Sequence, residues 1–253
     1  MTSDHIARPL DRPGTTEATW TGSGVLDAVP ARDPAAIRPP GRVVVVAPHP
    51  DDEVLGIGGA LAVWAARGTE VVVVAVTDGE GSHPGSPTLT PQQLVLRRED
   101  ERRAALSALG LGGGVPVVRL GLPDAAVPAG AVATGLAGVL APGDTCVVPV
   151  VGDGHPDHDA TAVGGARAAA NAGAACWSYP IWLWHWAQPG DVSFDGARRL
   201  VLPAFAERAK AAAIACFTTQ IAPLSPDPRD AAVLPPEVLA RFRRGAEIVW
   251  GPP

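Results

Sequence analysis

VVVVAPHPDDEVLGIGG, residues 43–59, decides the fold. Four consecutive valines, too short and too β-branched a run for a helix, read as a strand buried on both faces. His49, Asp51, Asp52 and Glu53 then follow almost without a break. Like charges crowded at the end of a dry strand repel one another unless a positive partner compensates them. Residues 56–67 read as a helix closing at Gly68, and VVVVAV at 71–76 reads as a second buried strand. Two apolar strands joined by a helix make a parallel βαβ unit with both sheet faces covered.

The alternation continues along the chain. Thr90, Pro91 and Gln93 form a capping-box start for a long helix ending at Gly110. Strands follow at 115–120, 145–151 and 175–182, with helices at 129–140, 160–171, 205–217 and 237–244. This pattern predicts one doubly wound α/β domain over residues 41–253, with a mostly parallel, Rossmann-like sheet and helices on both faces. Residues 1–40, rich in Pro, Asp and Thr, read as an irregular arm with one short helix around Glu17 to Trp20, and His5 in it as solvated. No internal repeat is present.

Composition removes several function classes. The 253 residues are 47% apolar with a net charge of −6, so a basic nucleic-acid-binding surface is not expected. Arg97, Arg98, Arg102 and Arg103 alternate with Glu99, Asp100 and Glu101, the pattern of a mixed-sign helix surface. The uncharged run 168–190 contains Asn171, Ser178, Pro180, His185 and Gln188, costly groups in lipid, so no membrane span is expected. Cys146, Cys176 and Cys216 form no Cys-x-x-Cys pair, and the N-terminus lacks the apolar stretch of a signal peptide. Both features point to free thiols and a cytoplasmic location.

In a doubly wound sheet, ligands collect beyond the carboxyl ends of the strands. Every dense polar cluster here falls at such an end: His49-Pro50-Asp51-Asp52-Glu53, Thr77-Asp78-Gly79-Glu80, Pro123-Asp124 and His155-Pro156-Asp157-His158-Asp159. One His-Pro-Asp alone reads as a turn with a capping aspartate. Two copies on one rim point to a shared divalent ion, held by His49, Asp52 and His158 with a position left open. Such a site suits hydrolysis, with Asp51 as general base and His155 stabilising the oxyanion and protonating the leaving group. Asp157 and Glu53 are expected to support these residues without reaching the ion.

APHPDDE after a valine strand, TDGE after the next, RREDE on the following helix, then LPD and HPDHDA resemble, in that order, the LmbE/PIG-L superfamily over about residues 42–220. The resemblance implies a metal-dependent N-deacetylase of N-acetylglucosamine-type substrates, with one Zn2+ per chain (or another divalent transition metal) at His49, Asp52 and His158. It also implies Asp51 as base, His155 as the oxyanion-stabilising proton donor, and Arg98 and Asp124 near the sugar. Arg98 reads equally well as half of an exposed i,i+3 pair with Glu101. Where mycothiol-type members have a tyrosine two residues before the histidine of the second motif, this chain has Asp153.

Two stretches remain. In CWSYPIWLWHWAQPG, residues 176–190, alternation puts Trp182, Trp184 and Trp186 on one face of an extended segment, with His185 opposite. That face suits stacking of Trp184 on a sugar, packing under the arm, or an oligomer interface. His83 lies in a Gly/Pro/Ser-rich loop with the composition of a mobile flap, within reach of substrate. The expected partner is therefore a small amino-sugar substrate that loses an N-acetyl or short N-acyl group, and the sequence admits a homo-oligomer. A thiol-conjugate amidase or a deacylase of a glycosylated secondary metabolite would use the same chemistry. A module binding nucleotide through Gly56-Ile57-Gly58-Gly59 is disfavoured by the carboxylates beside it. A non-catalytic binding protein is disfavoured because every reactive position is filled.

Overall fold

The structure, a computed structural model, describes residues 14–37, 39–112 and 114–252. The arm's residues 1–13, with His5, and Arg38 lie outside the described residues. The chain runs α1 (Glu17–Gly22), α2 (Val25–Ala28), β1 (Ala31–Arg32), β2 (Val43–Ala47), α3 (Asp52–Ala66), β3 (Val71–Ala75), α4 (Pro91–Ala108), β4 (Val117–Arg119) and α5 (Ala129–Leu136). It continues through β5 (Thr145–Pro149), α6 (Pro156–Ala172), β6 (Ala175–Tyr179), α7 (Leu183–Trp186), β7 (Ala197–Val201), α8 (Ala204–Ile214), α9 (Thr218–Ile221), α10 (Pro236–Leu239) and β8 (Ala246–Trp250).

These strands form one sheet in the order β1-β7-β8-β6-β5-β2-β3-β4. Every pairing is parallel except those of β8, which runs antiparallel to β6 and β7. Period-two alternation divides the core. Val43, Val45, Val71 and Val73 face one side with α3 and α8, while Val44, Val46, Val72 and Val74 face the other with α5 and α6. The expected doubly wound sheet with helices on both faces is what forms.

From β2 the chain winds outward through β3 to β4, then returns to place β5 on the other flank of β2. The switch point therefore lies between β2 and β5, and a crevice opens there beyond their carboxyl ends. The two His-Pro-Asp motifs follow these two strands, so topology alone brings them together.

Both motifs sit closer to helices than the sequence pattern indicates. α3 begins at Asp52, and α6 begins at Pro156 with His155 as its N-cap, so each polar cluster occupies a first helical turn. Gly56 and Gly59 lie buried inside α3, not in a phosphate-cradling loop. A Cβ on Gly56 would come within 2.2 Å of the Tyr179 ring, and one on Gly59 within 2.4 Å of Leu202. These glycines bring the helix down onto the sheet.

The described residues of the arm pack on the rest of the chain. The helix expected near Glu17–Trp20 is α1, whose Trp20 is fully buried with Nε1 donating to the Trp184 carbonyl at 2.8 Å. The extended reading of Trp182 to Trp186 is overturned. β6 stops at Tyr179, and residues 183–186 form a single helical turn, so the three indoles do not share a face.

Candidate metal centre

Three donor atoms converge at the switch point. His49 Nδ1 lies 3.2 Å from His158 Nε2 and 3.4 Å from Asp52 Oδ2, and His158 Nε2 lies 3.3 Å from Asp52 Oδ2. A tetrahedral ion with bonds of about 2.0–2.1 Å spaces its ligand atoms about 3.3–3.4 Å apart. The triangle has that edge on all three sides, so the donor set fits such an ion. His49, His155 and Asp157 form a second group of close donor atoms, sharing His49 with the first.

The field at this point favours positive charge. Burial works to lower the proton affinity of both ligand imidazoles, yet both are raised. Asp124, Asp157 and Asp52 hold His49 well above its ordinary value, and Asp52 and Asp153 bring His158 to about 9. Burial alone would raise the Asp52 carboxyl, but His158 and His49 hold it far below the usual range. A cation at the triangle would take the place of these protons.

Each imidazole is gripped on its far side by carboxylate. His49 Nε2 faces Asp124 Oδ1 at 3.2 Å and Asp157 Oδ2 at 3.3 Å, and His158 Nδ1 faces Asp153 Oδ2 at 2.8 Å. Such partners set the tautomer and ring orientation of a ligand histidine. Asp124 is thus occupied within the protein, its Oδ2 accepting from Gly81 N at 2.8 Å. Asp157 is anchored by the amides of Ala125 and Val127 at 2.7 and 3.0 Å.

The other carboxylates receive their positive partners from α4. Arg98 Nη2 lies 3.2 Å from Asp51 Oδ2 and donates to the Pro50 carbonyl at 2.6 Å, while its Nη1 donates to the Gly79 carbonyl. Four residues on, and so on the same helical face, Arg102 Nε lies 3.2 Å from Glu53 Oε1. Both arginines are buried. The mixed-sign surface expected here therefore holds only for exposed members such as Arg97 and Arg103. No Arg98–Glu101 pair forms, because Glu101 accepts from Thr218 and Thr219.

Asp51 caps α3 with φ 128°, a conformation rare outside glycine. Burial pushes its carboxyl up to about 7, against the pull of Arg98 and with the push of Asp52. His155 is drawn down to about 3 by burial and by the neighbouring imidazoles of His49 and His158. Its Nδ1 accepts from Asp157 N at 3.2 Å, which places the proton of the neutral ring on Nε2.

Of the remaining candidates, Trp184 and His83 are both buried. Trp184 is stacked on Phe194 and covered by the Arg244 guanidinium 4.3 Å from its ring centre, facing the arm. Trp186 is the tryptophan at the rim. It is 37% exposed, and its ring lies 2.3 Å from where a Cβ on Gly154 would stand, next to His155. His185 is buried with Nδ1 3.1 Å from Arg241 Nη1. His83 is buried, its Nδ1 3.0 Å from Ser82 Oγ. The loop around His83 is tied down by the Ser86 and Thr88 hydroxyls, which both donate to Asp230.

The model of the PIG-L family, described as GlcNAc-PI de-N-acetylase, matches residues 44–169, the stretch from β2 into α6 that carries both motifs. The chain belongs to the PIG-L family. It is 42% identical over 78 residues to 1D-myo-inositol 2-acetamido-2-deoxy-alpha-D-glucopyranoside deacetylase of Actinosynnema mirum, covering 28% of each chain. The enzyme of that name from Rhodococcus erythropolis is 33% identical over 180 residues, 56% of this chain and 60% of the relative. The match thus spans little more than a quarter of the length of the Actinosynnema relative. A teicoplanin deacetylase, Orf2, solved in a zinc-inhibited form, shares the fold at a TM-score of 0.60 with 21% identity, over 83% of this chain and 97% of the other.

Proposed function

We propose that this protein is a zinc-dependent N-deacetylase that removes an acetyl or short acyl group from the nitrogen of an amino-sugar-containing small molecule. The observation that carries this reading is the equilateral donor triangle of His49, Asp52 and His158 beside a strained aspartate. Zinc held there would supply a Lewis acid for the amide carbonyl and make a water acidic near neutral pH.

The chain's own residues supply the rest. Asp51, with its carboxyl near 7, takes the proton of the water that adds to the amide carbonyl. His155 turns its Nε2–H toward the oxygen where negative charge develops. As the carbon–nitrogen bond breaks, the departing nitrogen takes the proton that Asp51 accepted from the water, while the His155 Nε2–H stays hydrogen-bonded to the oxygen. The net result is one water consumed, with a carboxylic acid and a free amine released, which exchange a proton at neutral pH to give carboxylate and ammonium. Arg98 holds Asp51 from behind, and Asp124 and Asp157 keep His49 oriented.

Purified protein should hold about one zinc per chain, and His158→Ala protein should lose it while remaining folded. Incubation with N-acetylglucosamine, its inositol conjugate and bulkier N-acyl glycosides should release amine only from metal-loaded protein. Full metal loading with no amine release from any of them would sink the enzyme reading.

A second substrate reading, a deacylase of a glycosylated secondary metabolite, is favoured by Trp186. Its half-exposed indole beside His155 offers an apolar face to a hydrophobic substituent. Among the described residues no helix is long and apolar enough to cross a membrane, and the three cysteines are free. Free thiols suit a reducing compartment, which supports a cytoplasmic location, and the net charge of −6 suits a small-molecule partner over nucleic acid.

A further inference from the structure

Asp153, in the loop between β5 and α6, is fully buried, and its carboxylate is held by backbone amides as well as by His158. Its Oδ1 accepts from the amides of Ile181 at 2.8 Å and Leu183 at 3.1 Å, and its Oδ2 accepts from the amide of Trp182 at 2.9 Å. The same Oδ2 lies 2.8 Å from His158 Nδ1. A carboxylate already accepting three amide hydrogens has no donor to offer, so the proton in the fourth contact belongs to His158 Nδ1. Nε2 is then left with its lone pair directed at His49 Nδ1 and Asp52 Oδ2, 3.2 and 3.3 Å away.

We propose that Asp153 is the positioning residue of His158, fixing its tautomer and orientation toward the metal site while capping the free amides of residues 181–183. It acts through His158 and does not reach substrate. This rests on the metal-site reading above. The arrangement also ties the ligand to the segment that carries Trp184 and Trp186, itself clasped by the arm. Thr15 Oγ1 donates to the Ala187 carbonyl at 2.7 Å, and Trp20 Nε1 to that of Trp184. The ligand histidine is thereby referenced to the rim as well as to its own helix.

Asp153→Asn bears on both duties, because an NH2 in place of Oδ2 also gives up the bond from the Trp182 amide. The amide oxygen can still accept from Ile181 and Leu183, but its NH2 would replace Oδ2 and present a donor to His158 Nδ1. The imidazole satisfies that donor only by moving its proton to Nε2, the nitrogen facing the ion. Zinc affinity, measured at one pH by competition with a chromophoric chelator, should fall about 10–100-fold, the usual cost of losing such a partner. Folded Asp153→Asn protein with unchanged affinity would overturn the proposal. If the variant does not fold, wild-type protein still decides. Long-range nitrogen–proton NMR of the zinc-loaded form should find the His158 proton on Nδ1, and a proton on Nε2 would overturn the assignment. Wild-type protein that takes up no zinc removes the metal reading itself, a result distinct from either.

Discussion

The two His-Pro-Asp motifs are the same tripeptide at the ends of neighbouring parallel strands, yet they produce opposite carboxylates. Asp51 and Asp157 occupy the same place in the motif, and both are buried. Asp51 accepts no side-chain capping bond from α3, has Arg98 as its cation, and sits beside Asp52 and Glu53. Asp157 accepts two amide hydrogens and faces His49. Burial therefore wins at Asp51 and carries it to about 7. At Asp157 burial is outweighed by His49 and by the amide of Val127, and the carboxyl lies below its usual value. The motif fixes where a carboxylate stands, and the number of donors around it decides whether it exchanges a proton or stays charged.

Exchanging each aspartate for asparagine tests that contrast directly. Asp51→Asn should keep its zinc and lose about 10²–10⁴-fold in kcat, the range general-base catalysis supplies. Asp157→Asn should instead lose about 10–100-fold in zinc affinity, because His49 loses a partner that orients it. Metal analysis beside steady-state kinetics reads both. If the two variants fail in the same way, the division of roles is wrong.

The next effect is on stability. Arg102→Met leaves Glu53 buried without its cation and should cost about 3–5 kcal/mol in urea unfolding, as for other broken buried pairs. Adding Glu53→Met should recover most of that loss, since an apolar pair of similar volume removes the uncompensated charge. A double variant no more stable than Arg102→Met would mean that the pair is not the source of the effect.

What could be read in advance follows the same logic of partners. β2, β3 and β5 announced themselves because strands buried on both faces are continuous apolar runs, and α4 did so because its capping box is local. β8, AEIVW, gave no such signal because Glu247 points inward. It accepts from the amides of Gly59 and Ala60, just past the non-helical Ile57 of α3, and pairs with Lys210 at 2.7 Å. The turn of α7 was hidden because its amides are capped by Asp153, some thirty residues away. At the site, residue types and strand ends gave the donor triangle. That Arg98 and Arg102 face inward was not legible, since only the tertiary packing of α4, which lies against α8 and reaches the first turn of α3 through these side chains, makes one side of a charged helix the counter-ion of another.

The smallest effect lies at the opposite ends of the same two strands. Where β2 and β5 begin, Arg42 grips Asp144 with Nη2 to Oδ2 at 2.7 Å and Nε to Oδ1 at 3.1 Å, and the amide of Ala141 donates to Oδ2. Burial works to raise the Asp144 carboxyl, but these bonds hold it below its ordinary value. A carboxyl whose proton affinity is lower folded than unfolded stabilises the fold fully above its unfolded pKa of about 3.9. That contribution is lost as the pH falls through the lower, folded value. Asp144→Asn should therefore be less stable than wild type by about 1–2 kcal/mol at pH 7. The two stability curves should converge as the pH drops below about 4. Because this pair is more than a strand's length from the triangle, zinc affinity at pH 7 should be unchanged. Curves that stay parallel into acid would show that the pair contributes through packing and not through charge.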